Sequence, residues 1–147
     1  MEIQISNRQK AHRLPPKHRI LKKTQAVLSA LDSHDAELSI LITDDDAIAE
    51  MNLAYLGRTG PTNVMAFPMQ EGDFAHISPG LLGDVVISAD TALREARAMG
   101  VSLETRFTEL LIHGILHLYG YDHERSKTEG KKMEAKTREL LALLASL

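Results

Sequence analysis

The chain of 147 residues contains no cysteine. That excludes disulfides, thiolate nucleophiles and cysteine-held metal together, so any metal here falls to His, Asp or Glu. No apolar run approaches the roughly 20 residues that a membrane-spanning helix needs. Met1 to Ser6 lacks the basic start and apolar stretch of a secretory signal, so the expectation is a cytoplasmic protein with no membrane partner. Excess positive charge is missing too. Seventeen Lys and Arg against twenty Asp and Glu give a net charge of −3, so bulk charge does not draw the molecule to nucleic acid. There is no internal repeat, no low-complexity segment and no linker.

What is present fits a soluble globular domain: 44% hydrophobic and 25% charged residues. The length is that of one ordinary domain, taken here as residues 1–147. Charge is uneven. Arg8, Lys10, Arg13, Lys17, Arg19, Lys22 and Lys23 crowd the N-terminal region, and Lys127, Lys131, Lys132, Lys136 and Arg138 the C-terminal one. Such runs read either as solvated helix faces or as a local basic groove.

Periodicity predicts a strand over 2–6, a helix from Pro15-Pro16 to about Leu31, and a strand over Glu37 to Thr43. Thr43 or Asp44 caps a helix reaching about Tyr55. Asn63 to Phe67 is a short strand closed by Pro68, residues 69–82 a loop, and Gly83 to Ser88 a further strand. Ala89 to Met99 is helical, Ser102 caps a helix running to Tyr119, and a last helix covers 126–145. The expected class is α+β, a mixed α/β layer with a small sheet of about four strands and four to five helices.

One segment carries chemistry: His113-Gly114-Ile115-Leu116-His117-Leu118-Tyr119-Gly120-Tyr121-Asp122-His123. Residues four apart share a helix face, so His113 and His117 aim two imidazoles at one point. Gly120 can adopt a left-handed conformation and turn the chain, bringing His123 back to the same point. Three imidazoles with one position open describe a catalytic zinc site, which acidifies a bound water to a pKa of about 7. Nickel or copper would also suit three imidazoles. The helix is otherwise apolar at Leu110, Leu111, Ile112, Ile115, Leu116 and Leu118, where unbound polar rings are costly.

The spacing equals that of metzincin peptidases, His-Glu-x-x-His-x-x-Gly-x-x-His, but Gly114 stands where those enzymes carry the glutamate base. A peptidase would need a carboxylate from elsewhere, Glu124 or Glu109. A third reading is a non-catalytic, zinc-stabilised ribosome-assembly factor, whose metal would be closed by four protein ligands.

Residues His113 to His123 resemble the signature His-Gly-x-Leu-His-Leu-x-Gly-Tyr-Asp-His of the YbeY-type rRNA maturation factors. Asn52-Leu53-Ala54-Tyr55, then Pro61-Thr62-Asn63-Val64-Met65-Ala66-Phe67-Pro68, and Leu82-Gly83-Asp84-Val85-Val86-Ile87-Ser88 are similar to further segments of that family, in the same order. The resemblance spans roughly residues 40–125. It implies a metal-dependent endoribonuclease specific for single-stranded RNA, acting in maturation of small-subunit ribosomal RNA and in ribosome quality control in the bacterial cytoplasm. It implies zinc on His113, His117 and His123, and as partners ribosomal RNA and proteins of the small ribosomal subunit. The family has an arginine directly after the tyrosine of Asn-x-x-Tyr. Here that position is Leu56, and Arg58 is the candidate to supply the catalytic role alongside the three histidines; otherwise the role is absent.

Other residues have two readings each. Glu109 orients a ligand imidazole or is merely exposed; Asp122 holds a ligand or, more simply, the turn. Asp84 is a buried carboxylate supporting the site or plays no part there. Tyr119 and Tyr121 stack on bases or pack. Thr62 and Asn63 face the site or cap the strand. His12, His18, His34 and His76 have no ligand spacing and read as surface residues.

Overall fold

The computed structural model describes residues 1–69, 80–122 and 124–147. The elements are β1 (Glu2–Asn7), α1 (Lys17–Ala30), β2 (Glu37–Thr43), α2 (Asp45–Leu56), β3 (Val64–Pro68), β4 (Leu81–Ser88), α3 (Ala89–Met99), α4 (Leu103–Leu118) and α5 (Lys127–Ala145). The mixed α/β class expected from the sequence is what forms. The strands make one sheet in the order β1-β2-β4-β3, with β1, β2 and β4 parallel and β3 antiparallel at one edge.

Strand alternation sorts the side chains into two faces. Leu38, Ile40, Ile42, Val85 and Ile87 point to one face and pack with Val27 and Leu28 of α1, Phe107, Leu111, Ile112, Ile115 and Leu116 of α4, and Met133 and Leu140 of α5. The other face is covered more thinly: Met65 and Val86 meet Ile48 of α2. The apolar stripe of α4 thus lies against the sheet, and its polar residues emerge along one side.

Side chains set the helix starts. Asp44 accepts from the Ala47 N–H at 2.9 Å, Ser88 from Thr91 at 3.3 Å, Ser102 from Thr105 at 3.1 Å and Ser126 from Glu129 at 3.1 Å. The end of α4 is a Schellman turn: the Tyr121 N–H reaches the Leu116 carbonyl at 3.1 Å and the Gly120 N–H that of His117 at 3.0 Å. Gly120 takes φ +90°, as the turn demands. Tyr119 then donates its hydroxyl to Ser33, joining this end of α4 to the turn after α1. Burial holds the Tyr119 phenol above its ordinary pKa, against the opposing hydrogen bond with Ser33. Tyr119 and Tyr121 are both partly buried against the core cluster, as the packing reading expects.

Two expectations need correction. Leu81 and Leu82 are strand residues: Leu81 pairs with Glu37, and the Leu82 carbonyl accepts from Met69 at 2.9 Å. Residues 70–79 of the expected loop, His76 among them, lie outside the described residues. His12 is not simply a surface residue, for its half-buried ring has Nε2 2.6 Å from Asp90 Oδ1. The other Asp90 oxygen accepts from the Asp45 N–H at 2.9 Å, which ties the loop after β1 to the starts of α2 and α3. His18 and His34 are exposed, as expected.

Candidate metal and phosphate cleft

A cleft of about 680 Å³ opens between the C-terminal half of α4, the outer edge of β3 and the loop after α2. Its walls include His113, Gly114 and His117 from α4, Val64 to Pro68 from β3, and Asn52, Leu56, Arg58, Thr62 and Asn63. Asp122 and Glu124 close one end.

The helical spacing does what the sequence predicts. The Nε2 atoms of His113 and His117 are 3.0 Å apart, and the ring centroids 4.6 Å apart at 66°. Two imidazole nitrogens so placed fit one divalent ion, since each Zn–N bond is about 2.0–2.1 Å long. The third candidate ligand, His123, lies outside the described residues. Among those described, no group of three His, Cys, Asp or Glu is placed to hold a metal.

Gly114 explains how α4 lies so close to the sheet. A Cβ built on it would stand 2.6 Å from Val85 Cγ1 and 3.1 Å from Val64 Cγ2. The position where metzincins carry their glutamate therefore faces packed valines. A carboxylate there would collide with the sheet before it reached the cleft.

Arg58 lines the same cleft as the imidazole pair, as does Leu56. The loop that carries Arg58 is held by Asn52, a buried residue of α2. Asn52 donates from Nδ2 to the Gly60 carbonyl at 3.0 Å, and its own carbonyl accepts from the Arg58 N–H at 3.3 Å. Sequence reasoning gave Asn52 no role. The available signal was a polar residue four after Ile48, on the one side of α2 that is buried.

The edge of β3 is nearly out of donors. The Asn63–Ser88 and Met69–Leu82 hydrogen bonds show that odd-numbered residues of β3 face β4, leaving even-numbered ones turned outward. The Val64 N–H is taken by Asn63 Oδ1 at 2.7 Å, and Pro68 has none. Among the described residues of β3, the Ala66 N–H is the outward donor that remains, and Ala66 lines the cleft.

A polar chain backs this wall. Asn63 Nδ2 donates to both Glu95 oxygens at 3.2 Å, Arg106 Nε donates to Glu95 at 3.0 Å, and Arg106 pairs with Glu109 at 3.5 Å. Asn63 is thus a strand cap tied to α3, and Glu109 is ion-paired within its own helix. Asp122 serves the turn, accepting from the Glu124 N–H at 2.8 Å. Of the two readings of Asp84, the second holds: it is exposed on the sheet face away from α4 and lines other cavities. The N-terminal basic run is partly neutralised, because Arg19 and Lys23 reach Glu104 at 2.9 and 3.3 Å. The Arg19 hydrogen bond, opposed by burial, holds the Glu104 carboxyl below its ordinary pKa.

Fold and cleft together define a mixed α/β domain with a helix-borne imidazole pair at the antiparallel edge of its sheet. Comparison with known proteins is specific. The family described as Endoribonuclease YbeY matches residues 4–145. Relatives of that description from Geobacter sulfurreducens and Geobacter metallireducens are each 50% identical over 145 residues, covering 98% of this chain and 96% of the relative. One from Aquifex aeolicus is 46% identical over 129 residues, covering 88% and 84%. The solution structure of a Thermotoga maritima protein aligns with a TM-score of 0.66 at 25% identity, covering 97% of this chain and 88% of that one. The chain belongs to the YbeY endoribonuclease family.

Proposed function

We propose that this protein is a metal-dependent endoribonuclease that cuts single-stranded RNA in the cleft between α4 and β3. Small-subunit ribosomal RNA in the bacterial cytoplasm is its substrate, and proteins of the small ribosomal subunit are its neighbours there. The observation that carries the reading is the pair of Nε2 atoms 3.0 Å apart in one cleft with Arg58. Family membership supports the cleavage of RNA.

His113, His117 and His123 would hold the ion, zinc being the candidate. When bound, such an ion supplies Lewis-acid polarisation of a phosphate oxygen and acidifies a coordinated water. The chain's own groups do the rest. Arg58 presents a planar fork of donors that matches two phosphate oxygens and offsets charge as it builds there. Asn52 keeps the Arg58 loop against the cleft, and the Ala66 N–H offers one further donor.

A peptidase reading has less support: the family and its relatives are endoribonucleases, and of the two carboxylates it could borrow, Glu109 is ion-paired with Arg106 while Glu124 lines the cleft. The test incubates pure protein with single-stranded RNA, duplex RNA and casein, with and without chelator. Cleavage of the single strand alone is expected, abolished by chelation and by His117→Ala, and reduced strongly by Arg58→Ala. Cleavage of casein alone, or RNA cleavage that survives both chelator and His117→Ala, would overturn the assignment. Metal analysis of the purified protein identifies the ion.

A further inference from the structure

Helix α2 buries Ile48 and Asn52, yet leaves Leu53 60% exposed, Tyr55 70% and Leu56 54%. A helix resting on a sheet ordinarily turns polar residues outward, so folding does not account for this apolar outer side. Tyr55 meets Phe67 edge-on, with ring centroids 5.3 Å apart at 67°. A tyrosine recruited only for packing would not leave most of its ring in water.

Phe67 links this patch to the cleft. It borders the imidazole cleft on one side and, on the other, a second cavity of about 420 Å³ between α2 and the open part of the sheet. That cavity is walled by Leu41, Met51, Tyr55 and Val86 and has Asp84 at its polar end, directly across the β3–β4 ladder from Phe67. Its size suits a small planar ligand. The Asp84 carboxylate repels a phosphate, while apolar walls and two aromatic rings accept a base. In a single strand whose phosphate lies in the imidazole cleft, the flanking nucleobases are unpaired and close at hand.

We propose that Tyr55, braced edge-on by Phe67, is a stacking platform for an unpaired nucleobase beside the cleaved phosphate, giving the enzyme its preference for single strands. The proposal rests on the cleft being the cleavage site. It goes further by naming the chemistry that recognises the substrate: a base face, which a duplex hides. Stacking on aromatic side chains is sequence-tolerant, so the platform senses strandedness rather than sequence.

The test uses the full chain, metal-loaded, and a labelled single-stranded oligonucleotide made resistant to cleavage by 2′-O-methyl groups, with affinity read by fluorescence anisotropy. Tyr55→Ala is expected to weaken binding about five- to a hundredfold. Tyr55→Phe retains the wild-type affinity within twofold, and Tyr55→Leu behaves like Tyr55→Ala. An oligonucleotide with abasic sites flanking the central phosphate binds wild type as weakly as the intact one binds Tyr55→Ala, and Tyr55→Ala loses nothing more with it. Tyr55 is exposed, so melting temperatures should stay together across the three variants. Tyr55→Ala binding within twofold of wild type, Tyr55→Leu binding as tightly as Tyr55→Phe, or additive losses from Tyr55→Ala and the abasic sites would each overturn the platform. Cleavage by His117→Ala is measured in parallel. Normal cleavage there sinks the site itself, whereas lost cleavage beside unchanged Tyr55→Ala binding sinks only the platform.

Discussion

Gly114→Ala isolates the close approach of α4 to the sheet. The added methyl would sit 2.6 Å from Val85 Cγ1 and 3.3 Å from Val85 Cγ2, where carbon atoms prefer about 3.5–4.0 Å. Both neighbours belong to a fully buried β-branched residue with little rotamer freedom, so the helix must lift or the strand must bend. Overpacking of this kind costs about 1–3 kcal/mol, toward the upper end for an overlap so deep. Alanine in a helix interior returns about 1 kcal/mol relative to glycine. The expected net loss is about 1–2 kcal/mol, read as a lower urea midpoint with unchanged slope. Val85→Ala removes the closest of the crowding carbons and one other, leaving Val64 Cγ2 at 3.1 Å, so the double variant should be more stable than the sum of the two singles predicts by about 1 kcal/mol. RNA cleavage should fall in Gly114→Ala alone, because the lift moves His113 and His117 relative to Arg58. Gly114→Ala at or above wild-type stability, or strict additivity with Val85→Ala, would refute the reasoning.

Gly120→Ala meets no neighbour, since nothing lies within 4 Å of its added Cβ, so it isolates the backbone cost of φ +90°; a loss of about 1–2 kcal/mol is expected by thermal or urea unfolding. Asn52→Ala removes the strut under the Arg58 loop and should cost about 1 kcal/mol of stability while lowering cleavage more than RNA binding, measured by parallel kinetic and anisotropy assays. Asp45 is pushed upward by burial, but hydrogen bonds from Arg94, Thr91 and Ser88 outweigh this and leave its pKa below 3.8. The unfolded chain then binds this proton more readily than the folded one, so stability rises with pH through this range. Its contribution is fully present well above pH 4 and fades as pH falls through the lowered folded value. Asp45→Ala should therefore unfold at nearly the same urea midpoint as wild type in strong acid, but at a lower one at neutral pH.

Much of this was legible in the sequence. Amphipathic spacing marked the helices, Pro15-Pro16 marked the start of α1, and Asp44 and Ser102 sit where the first unpaired N–H groups of α2 and α4 need acceptors. The meeting of His113 and His117 followed from a four-residue spacing on a helix, a purely local geometry. What depended on distant pairing did not show. Leu81 and Leu82 follow Pro79 and Gly80 and looked like loop, yet ladders to β2 and β3 draw them into the sheet. Whether Asp84, at the start of a strand, would support the site or stand apart from it was open in the sequence; alternation along β4 turns it to the opposite face. Gly114 signalled only the missing glutamate, whereas its crowding against Val85 required the tertiary structure.

The nearly donor-free rim of β3 has a consequence for the molecule's neighbours in a crowded cell. An open sheet border invites another chain to add itself as an extra strand, the first step toward association between copies. Here a visiting strand finds a border five residues long, with Val64 already satisfied by Asn63 and Pro68 unable to donate. A polypeptide that needs a whole ladder finds, among the described residues, only one donor there, the Ala66 N–H, so its ladder forms only in part. The border can stay uncovered for RNA without becoming adhesive toward protein.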